Sequence, residues 1–254
     1  MTVVHGTNVD IPTEDGVADA YLAYPDDQAA HPAVLFYMDA WGLRPRLREM
    51  ADRLAEAGYT VLVPNVLYRQ GRAPVLDLPE HIGAEDRPAL FEKLIPIMRR
   101  LTPELAMRDA GAYLAWLAAQ PQVIDGPVGV TGYCMGAGLA LRTTGTYPDR
   151  VAAMAGFHGA NLAGDAADSP HMLADRITAE LYFGFADQDP SMPAEQIERL
   201  GKALDSAGVR YRSEVYAGAR HGYTMADTAV YDADATERHW TALLDLLGRT
   251  FPSR

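Results

Sequence analysis

One segment of this 254-residue chain constrains the fold more than any other, the run Val-Thr-Gly-Tyr-Cys-Met-Gly-Ala-Gly at residues 130–138. An apolar, β-branched stretch precedes the only cysteine and a helix-forming stretch follows it. Gly132-x-Cys134-x-Gly136 is the nucleophile-elbow pattern with cysteine in place of serine, and such an elbow needs a strand, a tight turn and a helix. A lone cysteine is more often a small buried apolar residue. The motif therefore predicts a catalytic thiol only if the chain also supplies partners for it.

The rest of the chain alternates between apolar runs of strand length and longer helical patterns. After an N-terminal hairpin over residues 7–24, we expect strands at 33–38, 59–64, 128–133, 151–157, 179–185 and 211–216. The intervening helices are expected at 46–57, 103–120, 135–147, 193–207 and 233–247. This alternation predicts a mostly parallel, twisted sheet of about eight strands with helices on both faces. We expect a single domain over residues 1–254, with an irregular, lid-like excursion at about 65–102.

Composition excludes several classes of protein. The formal net charge of −12 argues against nucleic acid and anionic membrane as partners. One cysteine excludes an internal disulfide framework and a cysteine-based zinc site. No apolar run approaches the roughly 18 residues that a membrane span needs, and the N-terminus lacks a signal-peptide pattern. We therefore expect a cytoplasmic protein that binds a small molecule and no metal.

A catalytic thiol needs a base, and the base needs a carboxylate to orient it. Cys134 follows one predicted strand, Asp187 and Asp189 follow another, and His221 follows the last. The order of nucleophile, acid and histidine is that of α/β-hydrolases. Functional groups in parallel sheets gather beyond the carboxyl ends of the strands. Spacing alone leaves either aspartate as the acid, since each could also be a turn-forming residue.

Six further histidines compete with His221 for the role of base. Those in terminal, surface-loop or late-helix contexts are expected to be solvated: His5, His31, His81 and His239. His171 falls in a polar loop, and His158 directly follows a strand, where it could line the pocket. The position and neighbours of His221 favour it as the catalytic base.

At these residues the chain resembles the dienelactone hydrolase family of the α/β-hydrolase fold, over nearly its full length. The resemblance rests on residues 132–136, 33–42, 57–59, 63–69, 189–193 and 216–223. It implies hydrolysis of esters or lactones through a thiol acyl-enzyme, with no metal or cofactor. It also favours Asp189 as the acid, because Asp189-Pro-Ser-Met-Pro fits the family's Asp-x-x-Val/Met-Pro run without a gap. The implied oxyanion hole is formed by the backbone N–H groups of Met135 and Ala40.

Two departures from the family pattern bear on substrate and mechanism. Asp39 stands where well-known members have a glutamate that helps generate the thiolate, and Met225 stands where they have a carboxylate-binding arginine. Arg87 is the candidate for a second such arginine. Without a bidentate guanidinium a planar carboxylate loses its best partner, so a neutral or less acidic ester or lactone is expected rather than dienelactone itself.

The substrate pocket is expected to be formed by aromatic and basic residues near the strand ends. The candidates are Trp41, Tyr68, Arg87, His158 and Tyr223. Asp39 and Met225 also motivate an alternative, a non-hydrolytic small-molecule binding protein on the same scaffold. A redox-responsive thiol is a third possibility, because exposed low-pKa cysteines oxidise easily. A homodimer is compatible with the predicted sheet edge and terminal helix.

Overall fold

Strands and helices alternate along residues 2–251, the part of the chain that the structure, a computed structural model, describes. The strands are β1 (Val4–Thr13), β2 (Gly16–Pro25), β3 (Ala33–Tyr37), β4 (Thr60–Pro64), β5 (Val128–Tyr133), β6 (Val151–Phe157), β7 (Glu180–Ala186) and β8 (Tyr211–Tyr216). The helices are α1 (Pro45–Glu56), α2 (Arg87–Met98), α3 (Pro103–Ala118), α4 (Met135–Thr146), α5 (Ala194–Ser206) and α6 (Ala233–Thr250). The strand order in the sheet is β1-β2-β4-β3-β5-β6-β7-β8. The predicted eight-stranded, mostly parallel α/β sheet is confirmed.

The chain divides into two compact units, and the first comprises residues up to 128 together with 227–229. Its β1–β2 hairpin is antiparallel, β2 pairs antiparallel with β4, and β3 pairs parallel with β4. Both β3 and β4 are buried along their whole length, as expected for apolar strands covered on two faces. Helix α1 begins with Pro45 at its first turn and buries Leu47, Met50 and Leu54 on one face.

The excursion between β4 and α3 belongs to this first unit and contains short helical segments. A short 3-10 turn at Tyr68–Gln70 follows β4, and the twelve-residue helix α2 comes later. Buried Asp109 of α3 accepts hydrogen bonds from both terminal nitrogens of Arg69, at 2.6 and 2.8 Å. The start of the excursion is therefore fixed to α3 by a bidentate ion pair. Its action as a lid stays a prediction.

The second unit comprises residues 129–226 and those from 230 on. Strands β6, β7 and β8 pair in parallel, and β7 is buried except at its first residue. Helix α6 begins at the N-cap Asp232, whose carboxylate accepts from the Ala235 N–H at 2.9 Å. Trp240, Leu243 and Leu247 lie on its buried face. None of the helices in the described part of the chain is both long and apolar enough to cross a membrane.

The prediction that His239 is solvated is wrong, because its side chain is fully buried on the inner face of α6. Its Nδ1 donates to the Thr236 carbonyl at 3.0 Å, so its Nε2 accepts from the Tyr133 hydroxyl at 2.8 Å. His239 shares this face with Leu243 and Leu246, four and seven positions further along the helix, and that apolar spacing was the available sequence signal. Here the buried imidazole ties α6 to the residue that precedes Cys134.

Candidate active site

Cys134 lies at a sharp turn between β5 and α4. Its backbone adopts φ +55° and ψ −118°, a left-handed conformation that non-glycine residues rarely take, and its N–H donates to the Phe157 carbonyl at 3.1 Å. A Cβ on Gly132 would lie 2.1 Å from the Gly136 carbonyl oxygen, so only glycine allows this strand and helix to approach. The local structure is the strand–turn–helix that the sequence predicts, and it leaves Cys134 half-buried.

His221 and Asp189 are brought together by the loops that follow β8 and β7. The Nδ1 atom of His221 lies 2.5 Å from Oδ2 of Asp189, a buried carboxylate that also accepts from the Ser191 N–H at 2.8 Å. Because an ionised carboxylate only accepts, Nδ1 of His221 carries the proton. Asp187 instead accepts from the Gly218 N–H at 2.9 Å. Of the two aspartates, the structure therefore places Asp189 against the histidine.

The Cys134 thiol completes this group through a hydrogen bond with His221. Burial lowers the pKa of His221, but the charge of Cys134 and the hydrogen bonds with Asp189 and Cys134 outweigh burial and raise that pKa to about 10. Burial raises the pKa of Asp189, and the hydrogen bond and charge of His221 bring it below its ordinary value. A cysteine beside a histidine that is oriented by a carboxylate is an arrangement that can activate a thiol as a nucleophile.

Two residues predicted for the pocket, His158 and Tyr223, pack beside this group. The His158 ring lies edge-on to His221 with 5.4 Å between ring centroids, and 5.0 Å from the Tyr223 ring. Both side chains are fully buried. Their contact with a substrate stays a prediction.

Asp39, in the first unit, is held by an arginine that the sequence analysis did not single out. Both Asp39 oxygens accept from Arg44, through Nη1 at 2.6 Å and Nη2 at 3.0 Å, and Asp227 accepts from Nε and Nη2 of the same guanidinium at 2.5 and 3.2 Å. Asp39 is 3% exposed and Arg44 is 7% exposed. Burial raises the pKa of Asp39, although Arg44 opposes this shift. The predicted role of Asp39 in activating the thiol stays a prediction.

Of the remaining pocket candidates, the structure brings Trp41 and Arg87 together. The Arg87 guanidinium lies 5.8 Å from the Trp41 ring centroid and 5.5 Å from that of Phe91. The Tyr68 hydroxyl accepts from Thr13 at 2.7 Å and donates to Asp109 at 3.1 Å, so its hydrogen bonds already go to the protein.

The predicted oxyanion donors lie at the starts of two different segments. Met135 opens α4, where the first N–H groups of a helix have no acceptor within the helix. Ala40 lies in the turn after β3. Their role stays a prediction. Among residues 2–251, no group of three or more His, Cys, Asp or Glu side chains is placed to hold a metal ion.

A family model of dienelactone hydrolases matches residues 18–251. The chain belongs to the dienelactone hydrolase family. A relative from Synechocystis sp., provisionally named carboxymethylenebutenolidase, is 28% identical over 253 residues, which are 97% of this chain and 98% of the relative. The similarity to the family therefore extends over both compact units.

Solved structures show the α/β-hydrolase fold of the family. A provisionally named dienelactone hydrolase from Klebsiella pneumoniae aligns with a TM-score of 0.84 and 21% identity, over 97% of this chain and 99% of that one. A dienelactone hydrolase-like, promiscuous phosphotriesterase from metagenomic libraries aligns with a TM-score of 0.80 and 23% identity, over 98% and 99%.

Within this dienelactone hydrolase family member, sequence reasoning missed Arg44 and Thr224. Arg44 precedes Pro45, a helix-start signal, but its partner Asp227 lies 183 positions away and no local pattern connects them. Thr224 lies three residues after His221, and its hydroxyl lies 2.8 Å from Nε2 of His158. The only signal that the sequence offered for Thr224 was a hydroxyl three positions after a predicted catalytic histidine.

Proposed function

We propose that this protein hydrolyses carboxylic esters or lactones through a thiol acyl-enzyme, with Cys134, His221 and Asp189 as its catalytic triad. The observation that carries the proposal is the 2.5 Å contact between His221 and Asp189, together with the charge and hydrogen bond of Cys134 that raise the pKa of His221. Family membership supports the reaction class.

In this mechanism His221 holds the proton of the Cys134 thiol, and the thiolate attacks the carbonyl carbon of the substrate. Asp189 fixes the imidazole through Nδ1 and stabilises its positive charge. The backbone N–H groups of Met135 and Ala40 would bind the oxyanion, each contributing about 3 kcal/mol. His221 then returns the proton to the leaving alkoxide and activates the water that releases the acid. No cofactor takes part in these steps.

We further propose that the substrate is uncharged. Met225, at the position of the family arginine, is buried, and Arg44 is already paired with two carboxylates. A substrate carboxylate would have to compete with Asp39 and Asp227 for that guanidinium. Arg87 offers a single guanidinium stacked on aromatic rings, which suits a flat, uncharged group as well as an anion.

The test compares turnover of p-nitrophenyl acetate, p-nitrophenyl butyrate, dihydrocoumarin, cis-dienelactone and a neutral phosphotriester. Wild type is assayed beside Cys134→Ala and Cys134→Ser. Hydrolysis of the neutral esters or lactone that disappears in Cys134→Ala supports the proposal, and a preference for cis-dienelactone would contradict the uncharged substrate. Binding of these compounds without Cys134-dependent turnover would instead favour the non-hydrolytic binding protein.

A further inference from the structure

A second buried imidazole, that of His158, contacts His221 but has no part in the mechanism above. His158 follows β6 with φ +37°, a left-handed conformation that a non-glycine residue keeps only where its surroundings hold it. Its backbone N–H donates to the Gly184 carbonyl at 2.8 Å, and its ring is fully buried. The strained backbone thus directs the ring inward, edge-on to the ring of His221.

The same ring is attached to the loop that carries His221, residues 217–225, which we call the histidine loop. Nε2 of His158 and Oγ1 of Thr224 are 2.8 Å apart, and both groups are buried. The Tyr223 hydroxyl donates at 3.1 Å to the Gly184 carbonyl that also accepts from the His158 N–H. His158 and the histidine loop therefore share one anchor on β7 and are joined directly through Thr224.

The surroundings of His158 also keep its ring neutral. Among residues 2–251, Nδ1 of His158 has no hydrogen-bond partner although it is buried. The titratable groups that face the ring are the imidazoles of His221 and His239 and the phenols of Tyr133 and Tyr223. A second proton on the His158 ring would create a buried N–H at Nδ1 that has no acceptor, and it would lie beside a charged His221. Burial, together with His221, holds the pKa of His158 well below its ordinary value.

We propose that His158 is a positioning residue, which holds the histidine loop through Thr224 and thereby sets the place of His221 beside Cys134. The inference rests on the proposed function and assigns a task to a residue outside the triad. Because the hydrogen bond acts on the loop rather than on the reacting atoms, its loss should weaken the contact between Cys134 and His221 without removing either group.

The experiment measures how fast iodoacetamide alkylates the protein between pH 5 and pH 9. The chain contains one cysteine, so the mass gained reports on Cys134 alone. Thr224→Val removes the hydroxyl at nearly constant shape, and Thr224→Ser keeps it as the matched control. His158→Phe keeps a ring and removes Nε2. Turnover of p-nitrophenyl acetate gives kcat and KM for each variant, and thermal unfolding reports whether it is folded.

We expect Thr224→Val and His158→Phe to shift the alkylation midpoint to higher pH and to lower kcat about tenfold with KM nearly unchanged. Thr224→Ser should remain within about twofold of wild type, and the double variant should be no worse than the worse single variant, because both remove one interaction. If His158→Phe does not fold, the comparison of Thr224→Val with Thr224→Ser still tests the proposal.

A folded Thr224→Val variant with the wild-type alkylation profile and kcat would overturn the inference. So would equal losses in Thr224→Val and Thr224→Ser. Failure of the proposed function has a different signature, namely turnover that survives in Cys134→Ala. The two failures are therefore distinguishable, because the wild-type protein can show Cys134-dependent alkylation and turnover even if the Thr224 variants overturn the inference about His158.

Discussion

Replacement of Asp189 by asparagine tests the triad most directly. The carboxylate is 5% exposed and lies 2.5 Å from Nδ1 of His221, so asparagine keeps the shape and removes the charge and one strong acceptor. With charge centres about 4 Å apart and an effective dielectric constant of about 20, the lost attraction is about 4 kcal/mol. Because about 1.4 kcal/mol corresponds to a factor of ten, we expect kcat/KM to fall about 10³-fold.

The assay is hydrolysis of p-nitrophenyl acetate, with Asp187→Asn as the matched control. Asp187 lies two positions earlier and accepts only from a loop N–H in the contacts described above, so its variant should stay within about threefold of wild type. Thermal unfolding checks that both variants are folded. A folded Asp189→Asn variant that keeps a tenth or more of the wild-type kcat/KM would refute the reasoning, and so would an equal loss in Asp187→Asn.

Three further expectations follow from contacts in the two units. Gly132→Ala should abolish the folded elbow, because the new Cβ would lie 2.1 Å from a carbonyl oxygen. Gly138→Ala is the control and should fold, because its Cβ would lie 3.9 Å from the nearest atom. Soluble yield and turnover of the two variants are compared, and equal results would contradict this expectation. Arg44→Met should lower the free energy of unfolding by about 3–5 kcal/mol, because it leaves Asp39 buried without its partner; a urea-unfolding loss below about 1 kcal/mol would contradict this. The raised pKa of His221, about 10 against 6.5, means that its ion-pair stabilisation is complete below pH 6.5 and disappears as pH rises through about 10. The difference in unfolding free energy between wild type and His221→Asn should therefore shrink over that range, and a constant difference would argue against the ion pair.

Local sequence patterns predicted most of the fold, because the apolar pattern of most strands and helices matches the burial that they have in the folded chain. The predicted bounds of β5, β6 and β8 match the structure residue for residue. Helix α6 extends three residues beyond its expected end at 247, since an apolar pattern marks a buried face but not the last turn. Helix α2 was harder to predict, because Pro96 lies inside it and only Leu90 and Leu94 are buried.

In the candidate site as well, features set by local sequence were predictable and features set by distant contacts were not. The positions of Cys134 and His221 after strands were predictable, because each lies in a recognisable motif. Their surroundings were not, because they depend on tertiary contacts. Examples are the burial of His239 against Tyr133 and the hydrogen bond between Thr224 and a histidine 66 positions earlier. The spacing of Leu243 and Leu246 marks the buried face of α6 on which His239 lies, but it does not identify the residue that the imidazole contacts.

The position of Asp227 in the first unit has a consequence for synthesis on the ribosome. Residues 227–229 belong with residues up to 128, and Ile82 donates to the Asp227 carbonyl at 2.8 Å and accepts from the Ala229 N–H at 3.0 Å. The N-terminal half therefore emerges without one of the two carboxylates that neutralise Arg44. It acquires that carboxylate only after some hundred intervening residues have been translated, so completion of the first unit is coupled to synthesis of nearly the whole chain.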